Sequence, residues 1–125
     1  MKNSTSTFVL INFAVFLILL TILTGCKKDE DFYAEKLIGT WVSSDLADTI
    51  EFVTTKDFYK NFYNLRDHFD YKCVKDSITI KYNGTLMILV FPTTHPYQIT
   101  NNRLTIDFRP SCYGFRNQII TFNKK

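Results

Sequence analysis

SITIKYNGTLMILVF, residues 77–91, has the pattern of a β-hairpin. In its first arm Ile78 and Ile80 face one side of an extended chain, and Asn83-Gly84 then supplies two residues that readily adopt the positive φ of a tight hairpin turn. A second hairpin is predicted from 97–100 to 103–108 across Asn101-Asn102. Strands that are adjacent in the sequence are therefore expected to be adjacent in the sheet.

Alternation of apolar and polar residues predicts further strands outside the hairpins. Pro92 and Pro96 are expected to bracket a loop, because proline cannot donate a hydrogen bond to a sheet ladder. Eight short strands in simple succession predict an all-β fold, a small up-and-down antiparallel barrel, which leaves no open sheet edge. The strands outside the hairpins are 40–44, 49–55, 68–74 and 115–123.

Length, composition and charge fit one small domain. The chain has 125 residues, of which 12 are Phe, 7 Tyr and 1 Trp, enough large side chains for a dense core. A formal net charge of +3 is too small to indicate a nucleic-acid partner. We therefore expect one folded domain that does not bind nucleic acid.

The amino-terminal 25 residues are organised like an export signal. Lys2 precedes an almost wholly apolar run from Phe8 to Leu23. The next residues complete Leu23-Thr24-Gly25-Cys26, which resembles the lipobox of bacterial lipoproteins. The resemblance implies that Cys26 becomes a lipid-bearing amino terminus, with acyl chains of the palmitate type as the membrane anchor. Each buried CH₂ contributes about 0.8 kcal/mol, so two or three chains would hold the protein permanently.

Residues 26–35 are predicted to be a charged, acylated tether between the signal peptide at 1–25 and the domain at 36–125. A solvated spacer is the ordinary interpretation of such a segment. Lys28, Asp29 and Glu30 also resemble the tag that sends some Gram-negative lipoproteins to the cell surface. That resemblance implies a surface-exposed position on the outer membrane, and a periplasm-facing position is the alternative.

A further resemblance lies in Leu37-Ile38-Gly39-Thr40-Trp41, at the start of the first predicted strand. Gly-x-Trp at this place resembles lipocalins and the small lipocalin-like domains of bacterial lipoproteins. The resemblance implies that Trp41 plugs the closed end of the barrel. With so short a chain, the cavity is expected to be small or filled by side chains.

Four aromatic residues follow the second predicted strand: Phe58, Tyr59, Phe62 and Tyr63. Their spacing places them on one side of a short helix or lid, where they could cover the open barrel end and stack on an apolar ligand. The alternative is that Phe58 and Phe62 are core residues and that the tyrosines keep their hydroxyl groups in water.

The remaining chemistry-bearing residues do not predict an enzyme, a cofactor or a metal site. His68 and His95 lack metal-ligand spacing and are expected at the surface, and no phosphate loop, zinc-protease motif or serine elbow is found. Cys73 and Cys112 could form a disulfide in an oxidising compartment or remain two buried thiols.

The sequence thus predicts a non-enzymatic lipoprotein of the cell envelope. Its partners would be the membrane, through the lipid on Cys26, and a small apolar or aromatic ligand bound by the barrel, and the alternative is an envelope protein. An apolar cavity of about 300 Å³ or more would favour the ligand. A barrel packed with its own side chains would favour a structural or protein-interaction role.

Overall fold

The computed structural model describes residues 11, 13–16, 29–62 and 64–125, without the side chain of Phe62. A closed barrel of eight antiparallel strands in chain order confirms the predicted all-β, up-and-down architecture. The strands are β1 (Gly39–Ser43), β2 (Thr49–Phe52), β3 (Asp57–Phe62), β4 (Leu65–Cys73), β5 (Ser77–Tyr82), β6 (Thr93–Thr100), β7 (Arg103–Asp107) and β8 (Ile119–Lys124).

β1 closes the barrel by pairing with both β2 and β8. Trp41 lies opposite Ile50 on one side and Lys124 on the other. Successive strands run in opposite directions, so the connections alternate between two ends. We call the end at which the chain enters β1 the helix end, and the end with the β1–β2, β3–β4, β5–β6 and β7–β8 connections the loop end.

A short helix, α1 (Asp29–Glu35), packs across the helix end. Ala34 and Leu37 are buried, and Trp41, itself fully buried, donates from Nε1 to the carbonyl of Leu37 at 2.7 Å. Tyr71 donates from its hydroxyl to the carbonyl of Thr54 at 2.9 Å beside them. Residues 29–35 of the predicted tether are thus helical and rest on the barrel.

Gly39 is needed where β1 begins. Its φ is +131°, in the region that favours glycine, and a Cβ there would lie 3.0 Å from Cε of Lys124. The small residue therefore allows the chain to turn from α1 into the barrel against β8.

The predicted second arm of the first hairpin, 85–91, is wrong. Those residues lie in a ten-residue connection, 83–92, and β5 pairs instead with β6, which contains Pro96 at its last contact with β5. A barrel strand needs one inward and one outward face, and 86–91 is apolar on both. The residues of β6 alternate, with His95 and Tyr97 buried between exposed neighbours.

The predicted signal and anchor lie mostly outside the described residues, including Cys26 and Lys28. Residues 11 and 13–16, within the predicted apolar segment, are helical. In the described part of the chain, no helix is both long enough and apolar enough to cross a bilayer.

Candidate functional site

The barrel interior is occupied by aromatic side chains. The ring of Phe58 stacks on Phe69 at a centroid distance of 4.9 Å and contacts Phe52 at 5.1 Å. Phe52 packs edge-on against Tyr71 at 4.9 Å. Side chains therefore take up space in which a barrel of this kind could hold an apolar ligand. Other buried residues of the same core are Trp41, Ile50, Ile78, Ile80, Leu104, Ile106, Phe108, Ile120 and Phe122.

The connection between β7 and β8, residues 108–118, covers the loop end, and we call it the cover loop. Phe115 stacks on Phe108 at 4.2 Å with an angle of 10° between the rings, and it contacts Phe69 in the barrel at 5.7 Å. The sequence had placed Phe115 in the last strand, which instead begins at Ile119. The barrel is thus closed by side chains at both ends.

A buried ion pair joins the barrel to the cover loop. Lys60 lies with its Nζ 2.9 Å from Asp48 Oδ1, and it donates to the carbonyl of Gly114 at 2.6 Å. Arg116 donates to the other oxygen of Asp48 at 2.8 Å and lies 2.7 Å from Asp45. The Arg116 guanidinium holds the pKa of the Asp45 carboxyl well below its usual range. Charges from distant parts of the sequence therefore fasten the cover loop.

The predicted aromatic lid is wrong for Phe58 and Tyr59. Phe58 and Tyr59 lie in β3, with Phe58 buried in the core, as the alternative interpretation held, and Tyr59 on the outer face. The side chain of Phe62 and all of Tyr63 lie outside the described residues. The aromatic residues at positions i and i+4 indicated a helix. The alternation of apolar and polar residues that predicts a strand was interrupted, because Lys60 is a charged residue at an inward position.

Cys73 and Cys112 are free, buried thiols, so the alternative of a disulfide is wrong. Burial raises the pKa of both thiols. Neutral, buried thiols are poor nucleophiles and poor metal ligands. We therefore assign them to the core.

His95 is fully buried, so its predicted surface position is wrong. Its Nδ1 lies 3.2 Å from the carbonyl of Asp107, which can only accept, so Nδ1 carries the proton. Nε2 of the neutral ring then accepts from the Thr93 hydroxyl at 2.7 Å. Burial lowers the pKa of His95, against the opposing effect of the Asp107 carbonyl. His95 is a hydrogen-bonded core residue.

His68 lies on the outer face of β4, at the surface position predicted for it. Its Nε2 is 2.9 Å from Oδ1 of Asp57 on β3 and 3.7 Å from Oδ1 of Asp70 on its own strand. Among the described residues, these three form the one group of at least three His, Cys, Asp or Glu side chains with ligand atoms within 4.8 Å of one another.

A groove of about 630 Å³ runs along the outer face beside this group. Asp57 and Asp70 line it, together with Lys72, Lys81 and Glu30 of α1. Its walls carry both signs of charge, unlike the apolar pocket expected for a lipocalin-type ligand. The groove is therefore an open surface site whose walls include charged side chains of both signs.

The connection between β5 and β6 exposes an apolar segment, residues 85–91, which we call the apolar loop. Met87 is fully exposed, and Leu89, Phe91 and Leu86 are 86%, 72% and 54% exposed. The loop carries no charged residue. Contiguous exposed apolar side chains of this kind mark interaction surfaces.

Sequence reasoning missed the ion pair, the cover loop and the acidic neighbours of His68. The acidic neighbour of His68 on its own strand could have been found from the pattern His68-Phe69-Asp70, because residues two apart in a strand share a face. No local sequence pattern indicated the contact between Asp48 and Arg116, because they are 68 positions apart.

No protein-family model matches the chain, and no curated protein and no solved structure matches it.

Proposed function

We propose that the chain is a lipoprotein of the cell envelope, held to the membrane through Cys26, with a lipocalin-like barrel that binds a protein partner through the apolar loop. The observation that carries this proposal is the exposure of Met87, Leu89 and Phe91 in one connection. Leaving such side chains in water forgoes about 25 cal/mol per Å² of apolar surface, which a partner would recover.

The packed barrel favours a protein partner over a small apolar ligand. The core aromatic rings lie within contact distance of one another, and Phe115 covers the loop end. A ligand would have to displace these rings, whereas a partner at the apolar loop displaces only water. The proposed role is therefore that of an interaction module without enzymatic activity.

The position of the anchor favours a protein over the membrane as the occupant of the apolar loop. Cys26 precedes the first residue of α1 by three positions, a reach of at most about 11 Å. The apolar loop belongs to the opposite, loop end of the barrel. A membrane that holds Cys26 therefore lies near the helix end, and the loop is available to another envelope protein with an apolar face.

In-cell photo-crosslinking tests the partner. A photoreactive amino acid at Met87 is expected to give one discrete protein adduct, because Met87 is fully exposed within the loop. Leu46 is the matched control, an apolar side chain of the β1–β2 connection that is 80% exposed at the same end. Leu89→Asp should abolish the adduct at position 87, and Leu46→Asp should leave it intact.

Other results would contradict the proposed partner. An adduct of twice the chain's mass would mean a second copy of this chain, and an adduct to lipid would mean the membrane. Equal capture at Met87 and Leu46 would mean that the loop selects no partner. Melting temperatures of both Asp variants show whether the barrel remains folded.

Replacement of Cys26 tests the anchor. Cys26→Ala is expected to abolish acyl labelling and either release the domain from membranes or block processing, because the thiol is the proposed attachment point. Unchanged labelling would contradict the lipoprotein assignment, whatever the crosslinking result.

The surface tag can be tested separately from the structure of α1. Asp29 and Glu30 also lie in the first turn of the helix, with Asp31, where acidic side chains stabilise it. Alanine at Lys28, Asp29 and Glu30 together should protect the domain from protease added to intact cells. Asp31→Ala, which changes the helix but not the tag pattern, should leave it accessible. Unchanged accessibility of the triple variant would mean that the segment is only a spacer.

A further inference from the structure

One outward-facing group of side chains combines an imidazole with two carboxylates. Asp57 and Asp70 lie directly opposite each other on β3 and β4, and His68 lies two residues before Asp70 on the same face. Carboxylates opposite each other on paired strands repel unless a cation or donor lies between them. His68 Nε2 lies beside both, at 2.9 and 3.7 Å.

The distances fit the first coordination sphere of a small divalent metal ion. Zinc binds histidine nitrogen and carboxylate oxygen at about 2.0–2.2 Å, so two ligands of a tetrahedral ion lie about 3.4 Å apart. The two measured distances from Nε2, 2.9 and 3.7 Å, lie on either side of that value. Small side-chain rotations on two paired strands would therefore complete the three-ligand geometry.

Neighbouring residues already orient the ligand atoms. The Thr54 hydroxyl donates to Oδ2 of Asp57 at 2.8 Å, and Oδ1 of the same carboxylate faces His68. The Tyr59 ring stacks on the His68 imidazole at 5.0 Å and fixes the plane of the ring. Partners of this kind pre-orient metal ligands.

We propose that Asp57, His68 and Asp70 bind a divalent transition-metal ion, with Zn²⁺ as the type, and leave at least one coordination position open to solvent. One nitrogen and two carboxylate oxygens suit zinc better than calcium or magnesium, which prefer oxygen ligands alone. The two carboxylates would balance the charge of the ion, which would have to displace the hydrogen bond that Asn83 Nδ2 donates to Oδ1 of Asp70 at 3.3 Å. None of the three proposed ligands belongs to the apolar loop, so the site does not depend on the proposed partner.

Titration of the full chain in detergent with ZnCl₂ under reducing conditions tests the site. We expect one ion per chain and a rise in melting temperature on binding, because the ion binds the folded arrangement. His68→Ala and Asp57→Asn should each weaken binding at least tenfold. Asp76→Asn, which removes an exposed carboxylate in the β4–β5 turn, is the matched control and should bind like the parent.

Cobalt identifies the ligands. Co²⁺ at the proposed site should give visible absorption bands without the sulfur charge-transfer band of a thiolate ligand. Such a sulfur band, no saturable Zn²⁺ binding, or equal binding by the parent and His68→Ala would overturn the proposal. If His68→Ala melts lower than the parent without metal, Asp70→Asn, whose side chain is 43% exposed in the parent, gives the same test with less effect on the barrel.

Discussion

Nζ of Lys60 lies 2.9 Å from Oδ1 of Asp48, and their side chains are only 4% and 8% exposed. Arg116 binds the second oxygen of Asp48, and Lys60 also donates to Gly114, so the pair connects β3, the β1–β2 connection and the cover loop. Two ions removed from water cost several kcal/mol unless each is paired and hydrogen-bonded, as these are.

The first prediction concerns removal of one ion of this pair. Asp48→Asn removes the carboxylate beside the buried Lys60 ammonium and is expected to cost about 3–5 kcal/mol of unfolding free energy, measured by urea denaturation. Glu51→Gln is the control, because Glu51 pairs with Arg66 at the surface, with side chains 45% and 52% exposed. That pair is worth about 1 kcal/mol or less.

A double variant separates the energetic cost of burying a charge without the Asp48 carboxylate from the cost of altered packing. Asp48→Asn with Lys60→Met should lose less than the sum of the two single losses, because no buried ammonium then remains. Additive losses, or equal effects of Asp48→Asn and Glu51→Gln, would show that the pair does not fasten the cover loop.

Trp41 supplies the second prediction. Its side chain is fully buried at the helix end, so Trp41→Ala should cost about 3–5 kcal/mol, a large part of the stability of a small domain. Trp41→Phe keeps part of the packing and should lose less. As the chain has 1 Trp, fluorescence of the parent reports this site alone and should be blue-shifted. Red-shifted emission with an unchanged melting temperature in the Ala variant would count against the barrel plug.

The third prediction is a loss of stability in mild acid that depends on His95. Its pKa is lowered by burial from an ordinary value of 6.5, so the unfolded chain binds a proton more readily than the folded chain. Stability should therefore fall as the pH drops below about 6.5 and level off below the folded-state pKa. His95→Gln should lose this part of the pH profile.

Protonation of the carboxylate of Asp107 affects stability in a lower pH range than protonation of His95. Hydrogen bonds from Arg109 lower the pKa of Asp107 from 3.8 to about 2, so its contribution is present above 3.8 and is lost as the pH falls through 2. The difference between the melting temperatures of the parent and of His95→Gln from pH 7 to 5 therefore reports His95 apart from Asp107. An unchanged slope in His95→Gln over that range would contradict its burial as a neutral ring.

The fourth prediction concerns the two core thiols. In a Cys26→Ser chain, Cys73 and Cys112 should react slowly with iodoacetamide while folded, since both are buried and their pKa values are raised. Denaturant without reductant should then give two adducts by mass spectrometry. A disulfide would give no adducts until a reductant is added.

The barrel architecture was predictable because it depends on local signals. Alternation such as Ile78 and Ile80 identifies one face of a strand, and turn residues such as Asn101-Asn102 end it. The Gly-x-Trp at Gly39 and Trp41 and the lipobox-like residues before Cys26, which support only a prediction, are likewise short patterns. These features need no knowledge of distant residues.

Two strands were misassigned because strand identity also depends on distant partners. Residues 85–91 have strong strand propensity, but only β6 offers the single inward face that a barrel position requires. β3 resembled a helix because Lys60 occupies an inward position. The Asp48 carboxylate and the Gly114 carbonyl, from positions distant in the sequence, stabilise the buried Lys60 ammonium by an ion pair and a hydrogen bond.

By itself, the sequence determined the strand-rich fold class and the aromatic content of the core, whereas the export signal and the lipidation at Cys26 stay predictions. The tertiary structure alone decided that the barrel is filled, that the cover loop closes it, that 85–91 is exposed and that Asp57, His68 and Asp70 meet. The physical reason is that periodicity reports which side of the chain is buried, whereas burial of a charge or exposure of an apolar segment depends on which distant residues lie against it.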